Sequence, residues 1–275
     1  MMPSEARLPP LSASEMDGYL ERVGHREPLA ADAATLAALH LAHATRVPFE
    51  NLDILLGRGI RLDADSVYAK LVTARRGGYC FEQNLLFARV LQTIGYPLTL
   101  LAARVRYQTA RILPRTHMLL LVEADGERCV ADVGFGGEGL LAPVRLESGV
   151  PSAQHAWTYR LLAADGGWLM QARDREGWHD LYAFTLEPQW PVDYEVANHY
   201  VSTHPNSRFV RTLTAQLPGP VVRQTLANRV LTTEHGFDME TRALASDEDL
   251  LDVLARIFGL PFPAGTRFRF DDTAA

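Results

Sequence analysis

The chain of 275 residues is 47% hydrophobic and 22% charged, the balance of a globular protein with ample material for a core. Its formal net charge of −6 argues against a general nucleic-acid binder, which normally carries a basic field. Two cysteines, Cys80 and Cys129, exclude a disulfide framework, and no apolar run approaches the ~20 residues that span a bilayer. Residues 1–10 carry the acid Glu5 and no apolar stretch, so they do not read as a signal peptide. A soluble protein in a reducing cytoplasm, without membrane or nucleic-acid partners, is expected. The basic residues are nearly all arginine, Lys70 being the only lysine, which composition bias alone accounts for.

The residues before Ser12 read as a loose tail. Ser14-Glu15 can cap a helix that reaches Val23 and stops at Gly24, and a second helix is expected over 32–44, ending before Pro48. Residues 48–53 read as a polar-aromatic turn, and 63–73 as a third helix. A glycine pair, Gly77-Gly78, then turns the chain into a fourth helix over 80–94, which Gly95-Tyr96-Pro97 ends. Beyond it the texture becomes that of strands, at 98–107, 117–124 and 128–134, with Asp125-Gly126 as a hairpin turn between the last two. Strands are also expected at 157–163, 168–172 and 179–186, so the central block reads as an antiparallel sheet or barrel. A short helix over 193–201, strands over 209–216 and 221–232, and a closing helix over 247–258 capped by Ser246 complete the pattern.

The stretch with the most chemistry is Arg75-Arg76-Gly77-Gly78-Tyr79-Cys80-Phe81-Glu82-Gln83-Asn84. A thiol at the first turn of a helix sits near the positive end of the helix dipole, among unpaired N–H groups, and this favours thiolate. The plainer reading is that Cys80 is a small apolar filler. A nucleophilic cysteine needs a base and an orienting group. His117 opens an apolar strand, and Asp132 ends the strand paired with it. In a hairpin turning at Asp125-Gly126, facing residues have numbers summing to about 251, so His117 faces Gly134 and Asp132 lies one diagonal step away on the same face. Alternatively, each could be an ordinary strand-end residue satisfied by backbone.

Gly134-Phe135-Gly136-Gly137-Glu138-Gly139 fits G-x-G-x-x-G, but Leu140-Leu141-Ala142-Pro143 does not open a helix, so a dinucleotide fold is rejected. Such a loop can still present N–H groups to a phosphate. No C-x-x-C or H-E-x-x-H spacing supports zinc, Cys129 has the wrong strand parity to join Asp132, and His40 and His43 are taken as structural. No metal is expected.

Arg76-Gly77-Gly78-Tyr79-Cys80-Phe81-Glu82-Gln83-Asn84 closely resembles the active-site signature of the arylamine N-acetyltransferases. Pro48-Phe49-Glu50-Asn51-Leu52, Thr116-His117, Asp132-Val133-Gly134-Phe135-Gly136 and the stretch from Tyr200 to Phe209 resemble further segments of that family, in the same order. The resemblance implies a mixed α+β fold with a cysteine-protease-like core. Its parts would be a helical bundle (1–96) carrying the nucleophile, a β-barrel (97–190) carrying histidine and acid, an interdomain helix (191–205) and an α/β lid (206–275). It implies a catalytic triad of Cys80, His117 and Asp132, and ping-pong transfer of acetyl from acetyl-CoA to an arylamine or arylhydrazine. Phe49, Tyr79, Thr116, Phe135 and Phe209 become candidates to line the substrate pocket, and Gly134, Gly136 and Gly137 to lie beside the CoA pyrophosphate. A monomer or homodimer is expected. The competing readings are a thiol hydrolase or amide synthase with the same triad, and a non-enzymatic binding module.

Overall fold

The computed structural model describes residues 8–109 and 111–271. The tail expectation for residues 1–7 lies outside them. The helical part contains α1 (Ala13–Val23), α2 (Ala33–Arg46), the two-residue strand β1 (Phe49–Glu50), α3 (Leu52–Leu55), α4 (Ala64–Tyr68) running into a π-turn at Ala69–Thr73, and α5 (Cys80–Ile94). Ser12, not Ser14, caps α1, with Glu15 reaching back in a capping box, and Gly24 closes it in the left-handed region at φ 69. The turn expected at 48–53 is instead β1 followed by α3. Helix α5 is buried on every side from Cys80 to Leu91, so it is the central rod of the molecule rather than an amphipathic surface helix.

Eight strands follow: β2 (Leu98–Val105), β3 (His117–Ala124), β4 (Glu127–Ala131), β5 (Val144–Arg145), β6 (Ser152–Gln154), β7 (Trp157–Ala164), β8 (Gly167–Arg173) and β9 (Trp178–Phe184). They form one antiparallel sheet in the order β5-β4-β3-β2-β9-β8-β7-β6, and a bridge from Ser148 to Leu161 of β7 brings its two ends together in a nearly closed barrel. Strand β3 explains its own unbroken apolar run. Met118, Leu120 and Val122 pack against the helices, while Leu119 and Leu121 enter the barrel core. Both faces are buried, so hydrophobic and polar residues do not alternate.

The chain then forms α6 (Pro191–Thr203), α7 (Arg208–Arg211), β10 (Thr214–Leu217), β11 (Val222–Ala227), β12 (Val230–His235), β13 (Asp238–Ala243) and α8 (Asp247–Arg256). Two expectations fail here. Residues 209–216 begin as a helical turn capped by Ser207, and 221–232 is not one strand but the start of a hairpin turning at Asn228, φ 50. The second sheet has the order β1-β10-β11-β12-β13, with Phe49 opposite Gln216 and Glu50 opposite Ala215. A strand from the helical part is therefore the edge of the C-terminal sheet. Asn51, fully buried, strengthens this seam: its Nδ2 donates to the carbonyls of Phe209 (2.7 Å) and Thr212 (2.8 Å), and its Oδ1 accepts from Thr214 N–H (2.9 Å). Among the described residues no helix is long and apolar enough to cross a membrane.

Candidate active site

The turn before Cys80 is held flat against β1. Gly78 N–H donates to Pro48 carbonyl (3.2 Å) and Glu50 N–H donates to Gly78 carbonyl (3.1 Å). This approach leaves no room for a side chain at Gly77, where a Cβ would run into the Pro48 carbonyl. Cys80 is then the first residue of α5, only 5% exposed, with its Sγ 3.6 Å from the carbonyl of Thr116.

His117 opens β3 and lies 3% exposed. Its Nε2–H donates to Asp132 Oδ2 at 2.7 Å, which leaves Nδ1 as the nitrogen available to Cys80. The hairpin register holds, since Leu120 faces Ala131, but the ladder ends at that pair. His117 and Gly134 therefore form no ladder pair, and Asp132 reaches the imidazole from just beyond β4. Burial opposes a charge on His117, but the Asp132 carboxylate and Cys80 outweigh it and raise the imidazole to about 10. Burial likewise pushes Asp132 up, and His117, Asn84 and the Gly134 N–H more than offset it, holding the carboxyl below its usual value.

The acid is fixed from several directions. Asn84 Nδ2 and Gly134 N–H both donate to Asp132 Oδ1 at 3.0 Å, Asn84 Oδ1 accepts from Val133 N–H (3.1 Å), and His40 Nε2 accepts from Asp132 N–H (3.1 Å). Burial depresses His40 to about 4, so it is neutral and can accept. Phe135 meets the His117 ring edge-on, with centroids 5.2 Å apart, and Tyr182 packs on it at 4.9 Å. A thiol–imidazole–carboxylate line inside an apolar wall is an arrangement that can support acyl transfer.

The other expected residues divide. Phe49 and Phe209 pack together at 5.9 Å, Phe209 and Phe135 are half-buried, and Thr116 is half-buried beside Cys80. Tyr79 does not line a pocket: it is fully buried between Phe81 and Phe209, and its hydroxyl donates to Asn198. Gly134 is small because a Cβ there would stand 2.8 Å from Cys80 Cα, so the loop that carries Asp132 can touch the helix that carries Cys80. Gly136 has φ 101, a left-handed conformation. Gly137 N–H, expected to face a phosphate, donates instead to Gln216 Oε1 of β10 at 2.8 Å.

A sequence profile of the N-acetyltransferase family matches residues 32–266. The arylamine N-acetyltransferase of Escherichia coli K12 is 41% identical over 89% of this chain and 88% of its own length. The solved arylamine N-acetyltransferase of Salmonella typhimurium superposes with a TM-score of 0.86 at 37% identity, covering 94% of this chain and 96% of that one. The chain belongs to the arylamine N-acetyltransferase family. A further solved member, the Mycobacterium marinum arylamine N-acetyltransferase in complex with CoA, is 35% identical with a TM-score of 0.85, over 89% of this chain and 92% of that one.

For an arylamine N-acetyltransferase, an acyltransferase, the sequence reading missed three supporting side chains. Asn84 had a usable signal: four residues after Cys80, it shares that face of α5 and points at the same strands. His40 and Tyr182 had none, because each is brought to the site from an element distant in sequence. A cavity of about 500 Å³ lined by Tyr107, Glu138, Asp174, Trp178 and His179 opens beside the glycine loop rather than over Cys80.

Proposed function

We propose that this protein transfers acetyl from acetyl-CoA to arylamines and arylhydrazines by a ping-pong mechanism through Cys80. The observation that carries the reading is His117, held by Asp132 at 2.7 Å through Nε2 and close enough to Cys80 for the thiol to raise the imidazole's proton affinity. The solved CoA complex of the M. marinum relative supports CoA as the donor's carrier.

In the first half-reaction the Cys80 thiolate attacks the thioester carbonyl carbon. The C–S bond to CoA breaks, and the departing sulfur takes a proton from the His117 imidazolium. A thiolate exchanges readily with a thioester because attacking and leaving groups have similar basicity, by analogy with thiol–disulfide exchange. In the second, the amine nitrogen attacks the Cys80 thioester, His117 accepts the nitrogen's proton, and the C–S bond to Cys80 breaks to release the amide and restore the pair. Asp132 holds the ring and balances the imidazolium throughout. Arylamines are neutral near pH 7, so they enter an apolar site without stripping water from a charge. Phe49, Phe135, Phe209 and Thr116 are the proposed wall, and Gly134 and Gly136 lie beside the donor. The division into bundle (1–96), barrel (97–190), interdomain helix (191–205) and lid (206–275) is our reading of how these parts serve the site, in a cytoplasmic monomer or homodimer.

Steady-state kinetics with varied acetyl-CoA and aromatic amine test this. Parallel double-reciprocal lines, and loss of turnover in Cys80→Ser with unchanged far-UV circular dichroism, are expected. Intersecting lines, or a Cys80→Ser enzyme near wild-type rate, would remove the covalent step.

A further inference from the structure

Lys70 is the only lysine of the chain, and its side chain is just 15% exposed. At every other Lys/Arg position the chain uses arginine. Its Nζ lies 2.8 Å from Glu82 Oε1, 3.1 Å from Asp53 Oδ2 and 4.0 Å from Glu50 Oε1. A compact ammonium can sit among three converging carboxylates, whereas the larger rigid fork of arginine needs more room there. Arg76 beside it spans two of the same acids, with Nη2 at 2.6 Å and Nε at 3.1 Å from Glu50 Oε1 and Nη1 at 3.3 Å from Asp53 Oδ1.

Glu82 links this cluster to the nucleophile. It is the third residue of α5, its side chain 1% exposed, and its Oε2 accepts from Tyr79 N–H at 3.1 Å, immediately before Cys80. Gly78 makes room for it: a Cβ there would stand 2.7 Å from Glu82 Oε2 and 2.9 Å from Cδ. The same carboxylate thus holds the backbone that presents the thiol and is held by the one lysine. We propose that Lys70 is a positioning residue for acetyl transfer, keeping the Glu82 carboxylate charge-balanced so that it fixes the Tyr79–Cys80 turn. The inference rests on Cys80 being the residue acylated.

The charged groups facing the pair are Glu50 of β1, Asp53 of α3, Arg76 of the turn, and Arg58, which is 61% exposed and 3.4 Å from Asp53. Burial pushes Glu82 up to about 7, the Lys70 ammonium opposing it. Burial disfavours the Lys70 ammonium, but Glu82, Glu50 and Asp53 outweigh it and raise its proton affinity. Without the ammonium, burial acts on Glu82 unopposed and moves its ionisation to higher pH, where the carboxylate stands unbalanced close to Cys80.

The test is single-turnover acetylation of Cys80 by acetyl-CoA, followed by intact mass from mildly acidic to alkaline pH, in wild type, Lys70→Met, Lys70→Arg and Lys70→Met/Glu82→Gln. An uncompensated neighbouring charge moves a titrating group by about one to three units, so the wild-type to Lys70→Met rate ratio should widen by about tenfold across that range. The double variant should return towards wild type, because the amide oxygen that Glu82→Gln introduces can accept from Tyr79 N–H without a counter-charge. Lys70→Arg should recover only part of the rate. A ratio constant with pH, or a double variant no better than the single, overturns the proposal. Should Lys70→Met fail to fold, the double variant should fold; failure of both shows that the lysine is needed only for packing and also overturns it. If wild type acquires no acetyl group on Cys80, the nucleophile assignment falls and this inference with it.

Discussion

Asp132 is fully buried and holds four contacts at once: two donors on one oxygen, the imidazole on the other, and its own N–H on neutral His40. A buried carboxylate is tolerated only when its lone pairs are filled in this way. The pairing has a pH signature. His117 rises from 6.5 to about 10, so the stability it contributes is complete below pH 6.5 and is lost as pH climbs towards 10. Asp132 falls below 3.8, so its contribution is present above pH 3.8 and is lost in stronger acid. The melting-temperature gap between wild type and His117→Gln should therefore be widest between these limits and shrink steadily into alkali. A gap that does not change with pH would mean that the pair carries no charge.

Among the elements, α5 and the β3–β4 hairpin were legible because their signals are local: Gly77-Gly78 before Cys80, Gly95 after the helix, Asp125-Gly126 at the turn. The C-terminal sheet was not. Its β11–β12 hairpin turns at Asn228 without a glycine, and asparagine tolerates the left-handed region well enough to leave 221–232 looking continuous. Strand β13 is exposed throughout, a polar edge strand with no apolar stripe to betray it. Strand β1 is two residues long, below what periodicity can show, yet it joins the turn before Cys80 to the C-terminal sheet, with Asn51 reinforcing the seam. Asn51→Ala would leave two carbonyls and one N–H unpaired in that seam. At about 1–3 kcal/mol per orphaned buried group, partly relieved by water, a loss of about 2–4 kcal/mol is expected in urea unfolding. A change under about 0.5 kcal/mol would show that the seam does not depend on it.

Across the molecule there are three apolar clusters: the helical cluster, the barrel interior, and the C-terminal cluster that α3 joins through Leu52 and Leu55. Cys80 comes from the first, His117 and Asp132 from the β3–β4 hairpin between the first and second, and the C-terminal sheet touches the glycine loop through Gln216. That convergence is why the cysteine motif could be read from its own ten residues, while Tyr182, His40 and Gln216 could not: only the folded chain brings them together. The proposed covalent intermediate can be tested without any amine. Incubation with acetyl-CoA alone, followed by intact mass and peptide mapping, should show one acetyl group on Cys80, none on Cys129, and none on Cys80→Ser. An unmodified wild-type protein, or an acetyl group that persists in Cys80→Ser, would refute acyl transfer through Cys80.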